Sequence, residues 1–106
     1  MSNYQVDREK WARLTIFEQM GNIGSEVGRA SIARDKGNQQ RCDAAFDRAL
    51  DLFDATLFAL RGNLPRMREV ARSREVFTGE YESGGPITIT SYFDKFAVAA
   101  RLAATA

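Results

Sequence analysis

The chain has 106 residues, a net charge of +1 and 44% hydrophobic residues, which is ordinary for one globular domain. This charge excludes a strong overall attraction to nucleic acid or acidic membranes. Because the chain has no histidine and one cysteine, Cys42, Ser-His and Cys-His nucleophile pairs and an internal disulfide are excluded, and a zinc site is disfavoured.

We expect residues 1–106 to form a single cytoplasmic domain. The first ten residues are polar and carry no signal-peptide hydrophobic region. No apolar run is long enough to cross a bilayer, so no membrane partner is predicted. A single cysteine fits a reducing compartment.

The first predicted helix covers residues 7–36 and carries two neighbouring seams with heptad spacing. One seam is made of large residues and the other contains three glycines. Each glycine in a helix interior lowers helix stability by about 1 kcal/mol relative to alanine. We interpret the glycine seam as a surface for close approach by a helix or by a large aromatic such as Phe93 or Phe96. A homodimer seam and a ligand groove are the alternatives, and a phosphate loop is disfavoured because the spacing is not G-x-G-x-x-G. The candidate groove residues are Gly21, Asn22, Gly24, Ser25, Gly28 and Arg29.

The second predicted helix covers residues 39–61, after the turn signal Gly37-Asn38. Its apolar residues occupy more than half of the circumference, which predicts a central position or a dimer contact. Its remaining side carries four aspartates. We expect these to pair with arginines of the third helix; a hard-cation site is less favoured, and no metal or cofactor is predicted. The predicted salt-bridge network contains Asp43, Asp47, Asp51, Asp54, Arg68, Arg72 and Arg74.

The third predicted helix covers residues 64–77, with Asn63 as its N-cap and Pro65 in its first turn. Arg74 falls on the predicted buried face, where a guanidinium needs a partner. Segment 61–74 contains five arginines, which makes weak nucleic-acid binding a second alternative function. This segment lacks the aromatic interleaving of a nucleic-acid module, so salt bridging is favoured over nucleic acid.

Residues 78–90 are predicted to form a loop, because Gly79 and the run 83–86 are turn signals. We expect Ile87 and Ile89 to pack inward from extended coil. A loop this long in a compact bundle suggests a functional role. The fourth predicted helix covers residues 91–104, with Ser91 and Asp94 as an approximate capping box.

Three segments carry a family resemblance: residues 16–30 (IFEQMGNIGSEVGRA), 45–52 (AFDRALDL) and 92–101 (YFDKFAVAAR). Together they resemble a family of short, functionally uncharacterised bacterial helical proteins. The resemblance implies a helical bundle and transfers no catalytic residue.

These observations predict an all-α four-helix bundle in which the first two helices form a long antiparallel hairpin. The predicted function is a non-enzymatic interaction or adaptor module, as a homodimer with an unknown protein partner. The alternative is a small-ligand-binding bundle that uses the groove along Gly21–Gly28.

Overall fold

The computed structural model describes residues 5–105. They contain five helices and no strand, so the all-helical prediction is confirmed for this part of the chain. The predicted domain, 1–106, also includes residues 1–4 and 106, which lie outside the described residues. The helices are α1 (Arg8–Ala12), α2 (Ile16–Asp35), α3 (Gln39–Ala59), α4 (Leu64–Ser83) and α5 (Thr90–Thr105).

Helices α2 and α3 form a hairpin, and the remaining helices pack around it. The chain reverses at Gly37, whose φ of +69° is a conformation that glycine adopts without strain. Helix α5 packs on α2, while α1 and α4 both pack on α3. Helix α3 is therefore covered by three other helices, which accounts for its broad apolar surface within the chain.

The centre of the core is aromatic. Phe53 of α3 lies between Phe77 of α4 and Phe93 of α5, with ring centroids 6.3 and 6.0 Å away. All three rings are fully buried, and burying one such side chain contributes about 1.5–3 kcal/mol. Helix α2 contributes the aliphatic half of the core through Met20, Ile23, Val27 and Ala30.

The prediction of one helix over residues 7–36 is wrong, because the chain breaks between α1 and α2. Thr15 caps α2: its hydroxyl accepts from the Glu18 N–H, and the Glu18 carboxylate accepts from the Thr15 N–H. This capping box satisfies N–H groups that a helix start otherwise leaves unpaired. The buried Gln19 amide donates to the carbonyls of Trp11 and Leu14 and so holds the break together.

The predicted end of the third helix at residue 77 is also wrong, because α4 continues through Gly79 to Ser83. Gly84, which has a φ of +76°, caps its C-terminus. Tertiary contacts of the last turn offset the cost of a glycine in a helix. The Tyr81 ring stacks on Phe46 with centroids 3.7 Å apart.

The connection between α4 and α5 is therefore residues 84–89, shorter than the predicted loop of residues 78–90. Ile87 is buried and Ile89 is half-buried, which confirms that the isoleucines pack inward. Ile89 lies in a turn and not in extended coil, because its carbonyl accepts from the Tyr92 N–H at 3.0 Å. The other predicted helices, 39–61 and 91–104, differ from α3 and α5 by at most two residues at each end.

Candidate functional site

Helix α5 occupies the glycine seam of α2. A Cβ at Gly21 would lie 3.4 Å from the Cα of Ala97, and a Cβ at Gly24 would lie 2.5 Å from the Cβ of Phe93. The interpretation that a large aromatic packs on this seam is confirmed at Gly24. No space remains for a ligand between α2 and α5 at these two glycines, whereas Gly28 has nothing within 4 Å of its Cβ position.

The other predicted groove residues and the glycines do not form one site. Asn22 is exposed, and the Ser25 hydroxyl donates to the Gly21 carbonyl of its own helix at 3.3 Å. Arg29 is also exposed and forms an ion pair with Glu26. The groove set therefore divides between the α5 interface and the outer surface of α2.

The structure brings together one ion pair of the predicted network, between Arg74 Nε and Asp54 Oδ1 at 3.2 Å. Asp51 instead accepts the Val6 N–H at 2.7 Å. Asp47 has no ion pair or hydrogen bond among the described side chains. Arg68 and Arg72 likewise have no ion pair within residues 5–105, and both line a shallow hollow on α4. Within the same residues no group of three or more acidic or cysteine side chains is placed to hold a metal ion.

Two tyrosine–carboxylate pairs connect the helices. The Tyr81 hydroxyl donates to Asp43, which joins α4 to α3 and raises the pKa of Tyr81 to about 12. The same hydrogen bond, together with one from Gln39, lowers the pKa of the Asp43 carboxyl. Between α5 and α4, the Tyr92 hydroxyl donates to Glu69 at 2.7 Å and lowers the pKa of that carboxyl. Both pairs therefore hold neighbouring helices together.

Arg34 anchors the connection between α4 and α5, a role that the sequence did not indicate. Its guanidinium donates to the carbonyls of Gly85 at 2.6 Å and Tyr81 at 2.8 Å. The Ser31 hydroxyl donates to the Ile87 carbonyl at 3.1 Å. The connection is therefore fixed to α2 at two carbonyls, those of Gly85 and Ile87, and the last turn of α4 at a third, that of Tyr81; we assign these contacts a structural role.

A cleft of about 350 Å³ opens between the C-terminal half of α2 and the N-terminal half of α3. We call it the α2–α3 cleft. Its lining combines four cations with a small apolar floor. The lining residues are Arg29, Ile32, Ala33, Lys36, Asn38, Arg41, Ala44 and Arg48.

The apolar floor of the α2–α3 cleft is exposed. Ile32 is 57% exposed, while Ala33 is buried and Ala44 is half-buried. One exposed apolar residue is ordinary on a protein surface. Here it lines one cleft together with four cations and two small residues, an arrangement that offers both apolar contact and hydrogen-bond donors.

The charge of the α2–α3 cleft is uneven along its length. At one end, Glu26 accepts from Arg29 Nη1 at 2.6 Å and from Arg48 Nε at 2.8 Å, so one carboxylate serves two guanidiniums. At the turn end, Lys36 and Arg41 have no ion pair among the described residues. The turn end therefore carries the larger uncompensated positive charge.

Sequence reasoning found only Arg29 of this cleft. A signal was present, since Arg29 and Lys36 are seven residues apart on one helix and Arg41 and Arg48 are seven apart on the next. Residues seven apart lie on the same helix face. This spacing alone does not predict the cleft, because each helix supplies only two of the four cations. Whether the two pairs line one cleft depends on how the helices of the hairpin pack.

Searches against protein-family models, curated proteins and solved structures find no match for this chain. The resemblance to a family of bacterial helical proteins therefore stays a prediction. None of the helices in the described part of the chain has the length and apolar character needed to cross a bilayer.

Proposed function

We propose that this protein is a non-enzymatic helical interaction module that binds a protein segment in the α2–α3 cleft. In this proposal, α2, α3, α4 and α5 form a four-helix bundle that presents the cleft. The observation that carries it is the exposure of Ile32 among four cations on the α2–α3 hairpin. Arginine is enriched in protein interfaces, and an exposed apolar side chain inside a polar rim resembles the core of a docking surface.

The depth of the cleft favours a protein segment over a small molecule. Sites for small ligands typically bury about 70–90% of the ligand surface. A cleft whose main apolar side chain, Ile32, is 57% exposed does not enclose a ligand in this way. The alternative groove along Gly21–Gly28 is occupied by α5 at two of its three glycines.

The arginines of segment 61–74 give little support to nucleic-acid binding. Arg66 pairs with Glu69 at 2.9 Å, and Arg74 pairs with Asp54. The Arg61 guanidinium lies 4.1 Å from the centroid of the Phe58 ring. Of the five arginines, Arg68 and Arg72 remain for phosphate contacts, and a surface that binds duplex DNA normally uses more than two.

The homodimer stays a prediction. It was motivated by the broad apolar surface of α3, which α1, α2 and α4 cover within one chain. Analytical ultracentrifugation measures it directly. A monomer throughout the micromolar range would contradict a homodimer and leave the docking proposal intact.

Selection of random dodecapeptides displayed on phage tests the proposed function. The enriched peptides are measured against the wild-type protein, the cleft variant Ile32→Gln and the control variant Val98→Gln. Val98 is 44% exposed on α5, so the two substitutions remove comparable apolar surface. We expect binding about tenfold weaker to Ile32→Gln and unchanged to Val98→Gln. Failure to enrich any peptide, or equal loss in both variants, would overturn the proposal.

A further inference from the structure

We propose that the occupant of the α2–α3 cleft is an acidic amphipathic helix of a partner protein, with two carboxylates seven residues apart and an apolar side chain between them. This inference rests on the proposed function and specifies its partner. It is carried by the spacing of the cleft cations, by the position of Glu26 and by the shape of the floor.

The four cations form two matched rows. Arg29 of α2 and Lys36, which caps the C-terminus of α2, are seven residues apart, and Arg41 and Arg48 are seven apart on α3. At a rise of 1.5 Å per residue, each row spans about 10.5 Å. The shared contacts of Glu26 show that Arg29 lies opposite Arg48. Lys36 and Arg41 flank the turn and line the other end of the same cleft.

A helix with carboxylates seven residues apart matches these rows. Seven residues make nearly two turns, so both carboxylates lie on one face and are also about 10.5 Å apart along the axis. Residues three and four positions after the first carboxylate share that face. An apolar side chain there would lie over Ile32.

Small residues in the floor favour the close approach of a helix. Ala33 and Ala44 are small, and small residues permit the interaxial distances of 8–10 Å at which helices pack. The groove of an antiparallel hairpin also aligns a third helix along both rows of cations. This is the general mode in which an amphipathic helix binds a groove.

The two ends of the cleft are expected to contribute unequally. Glu26 already accepts from Arg29 and Arg48, so a carboxylate from the partner must compete with it there. Lys36 and Arg41 have no such competitor among the described residues. The carboxylate at the turn end therefore contributes most, through charge-assisted hydrogen bonds.

The test uses three synthetic helical peptides with alanine and glutamine backgrounds. The first carries two glutamates seven residues apart with two leucines between them, at positions three and four after the first glutamate. The second replaces both glutamates by glutamine. The third places the glutamates five residues apart, which turns the second carboxylate away from the face. Titration calorimetry at low ionic strength measures the affinity of each.

We expect the first peptide to bind about tenfold more tightly than either control peptide. Arg41→Gln is expected to weaken binding about fivefold, and Arg48→Gln less than about twofold. Arg68→Gln removes an exposed arginine of α4 outside the cleft and is expected to change nothing. Urea denaturation of each variant checks that it folds as the wild type does.

Equal binding of the glutamate and glutamine peptides would overturn the acidic partner. If the phage-selected peptides then carry no acidic pair and still depend on Ile32, the proposed function stands without this inference. Tight, salt-sensitive binding of a short DNA duplex that Arg41→Gln abolishes would overturn both. A wild-type dimer that Arg41→Gln dissociates would identify a second copy as the occupant and overturn the partner helix.

Discussion

Phe93 packs so closely on Gly24 that its Cβ lies 2.5 Å from the position a Cβ would take at that glycine. Non-bonded carbon atoms pack at about 3.5–4.0 Å, so only glycine permits this approach of α5 to α2. Gly28, one turn along the same seam, has nothing within 4 Å of its Cβ position. The seam is therefore used for close packing at one end, and its other end carries a glycine that packing does not require.

Gly24→Ala is expected to destabilise the protein by about 1–3 kcal/mol, because the Cβ of Phe93 is fixed to its backbone and α5 must move. Gly28→Ala is the matched control, and it is expected to stabilise by up to about 1 kcal/mol through helix propensity alone. Urea denaturation measures both free energies of unfolding. Equal effects of the two substitutions would show that α5 does not pack on Gly24.

The buried hydrogen bond from Trp11 Nε1 to Thr56 Oγ1, 2.8 Å long, joins α1 to α3. Thr56→Val keeps the shape and removes the acceptor, so the indole N–H is left unpaired at a cost of about 1–3 kcal/mol. Thr56→Ser retains the hydroxyl and serves as the control for this bond. Trp11 is the only tryptophan, so its fluorescence reports this helix directly during unfolding. An unfolding midpoint of Thr56→Val equal to that of wild type would refute the contribution of this bond.

Glu80 joins α4 to the last two residues before α5 by accepting from the hydroxyl and N–H of Thr88 and the N–H of Ile89. Burial acts to raise the pKa of Glu80, but these hydrogen bonds outweigh it, and the pKa lies below its ordinary value. The stabilisation is therefore complete above the ordinary pKa of about 4.3 and is lost as the pH falls through the folded-state pKa.

Glu80→Gln is expected to cost about 1 kcal/mol at neutral pH, a low value because the carboxylate is partly solvated. The difference from wild type should shrink as the pH falls. Denaturation series at several pH values measure this trend. A difference that is constant with pH would show that the charge of Glu80 does not contribute.

Tyr81 is expected to ionise at a higher pH than an ordinary tyrosine. Its pKa of about 12 lies above the ordinary value of 10.0 because its hydroxyl donates to Asp43. The stabilisation is fully present below the ordinary pKa and is lost as the pH rises through the folded-state value. Asp43→Asn is expected to lower the pKa of Tyr81, whereas the exposed control Asp35→Asn is not. Near-ultraviolet titration of tyrosinate absorbance measures both, and an unchanged curve in Asp43→Asn would exclude this cause.

The two helix boundaries that were predicted wrongly have different physical origins. The break before α2 was present in the sequence, since Thr15 and Glu18 have the spacing of a capping box, but the apolar pattern on both sides suggested one continuous helix. The continuation of α4 through Gly79 was not visible locally. It depends on Tyr81 stacking on Phe46, a residue thirty-five positions earlier in the chain.

The sequence by itself determined what local interactions decide: the helical composition, the reversals at Gly37 and Gly62, and the N-cap at Asn63, whose side chain accepts from the Arg66 N–H. These features depend on groups within about four residues of each other, so their pattern can be read along the chain.

Only the tertiary structure decided which element fills the glycine seam, which carbonyls Arg34 holds, and how two rows of cations become one cleft. Glu26 meets Arg48 across twenty-two residues, and Arg34 meets Gly85 across fifty-one. Such contacts follow from the packing of whole helices, because the burial of large apolar surfaces sets which faces meet. The α2–α3 cleft is therefore a property of the packed hairpin, and neither of its helices carries it alone.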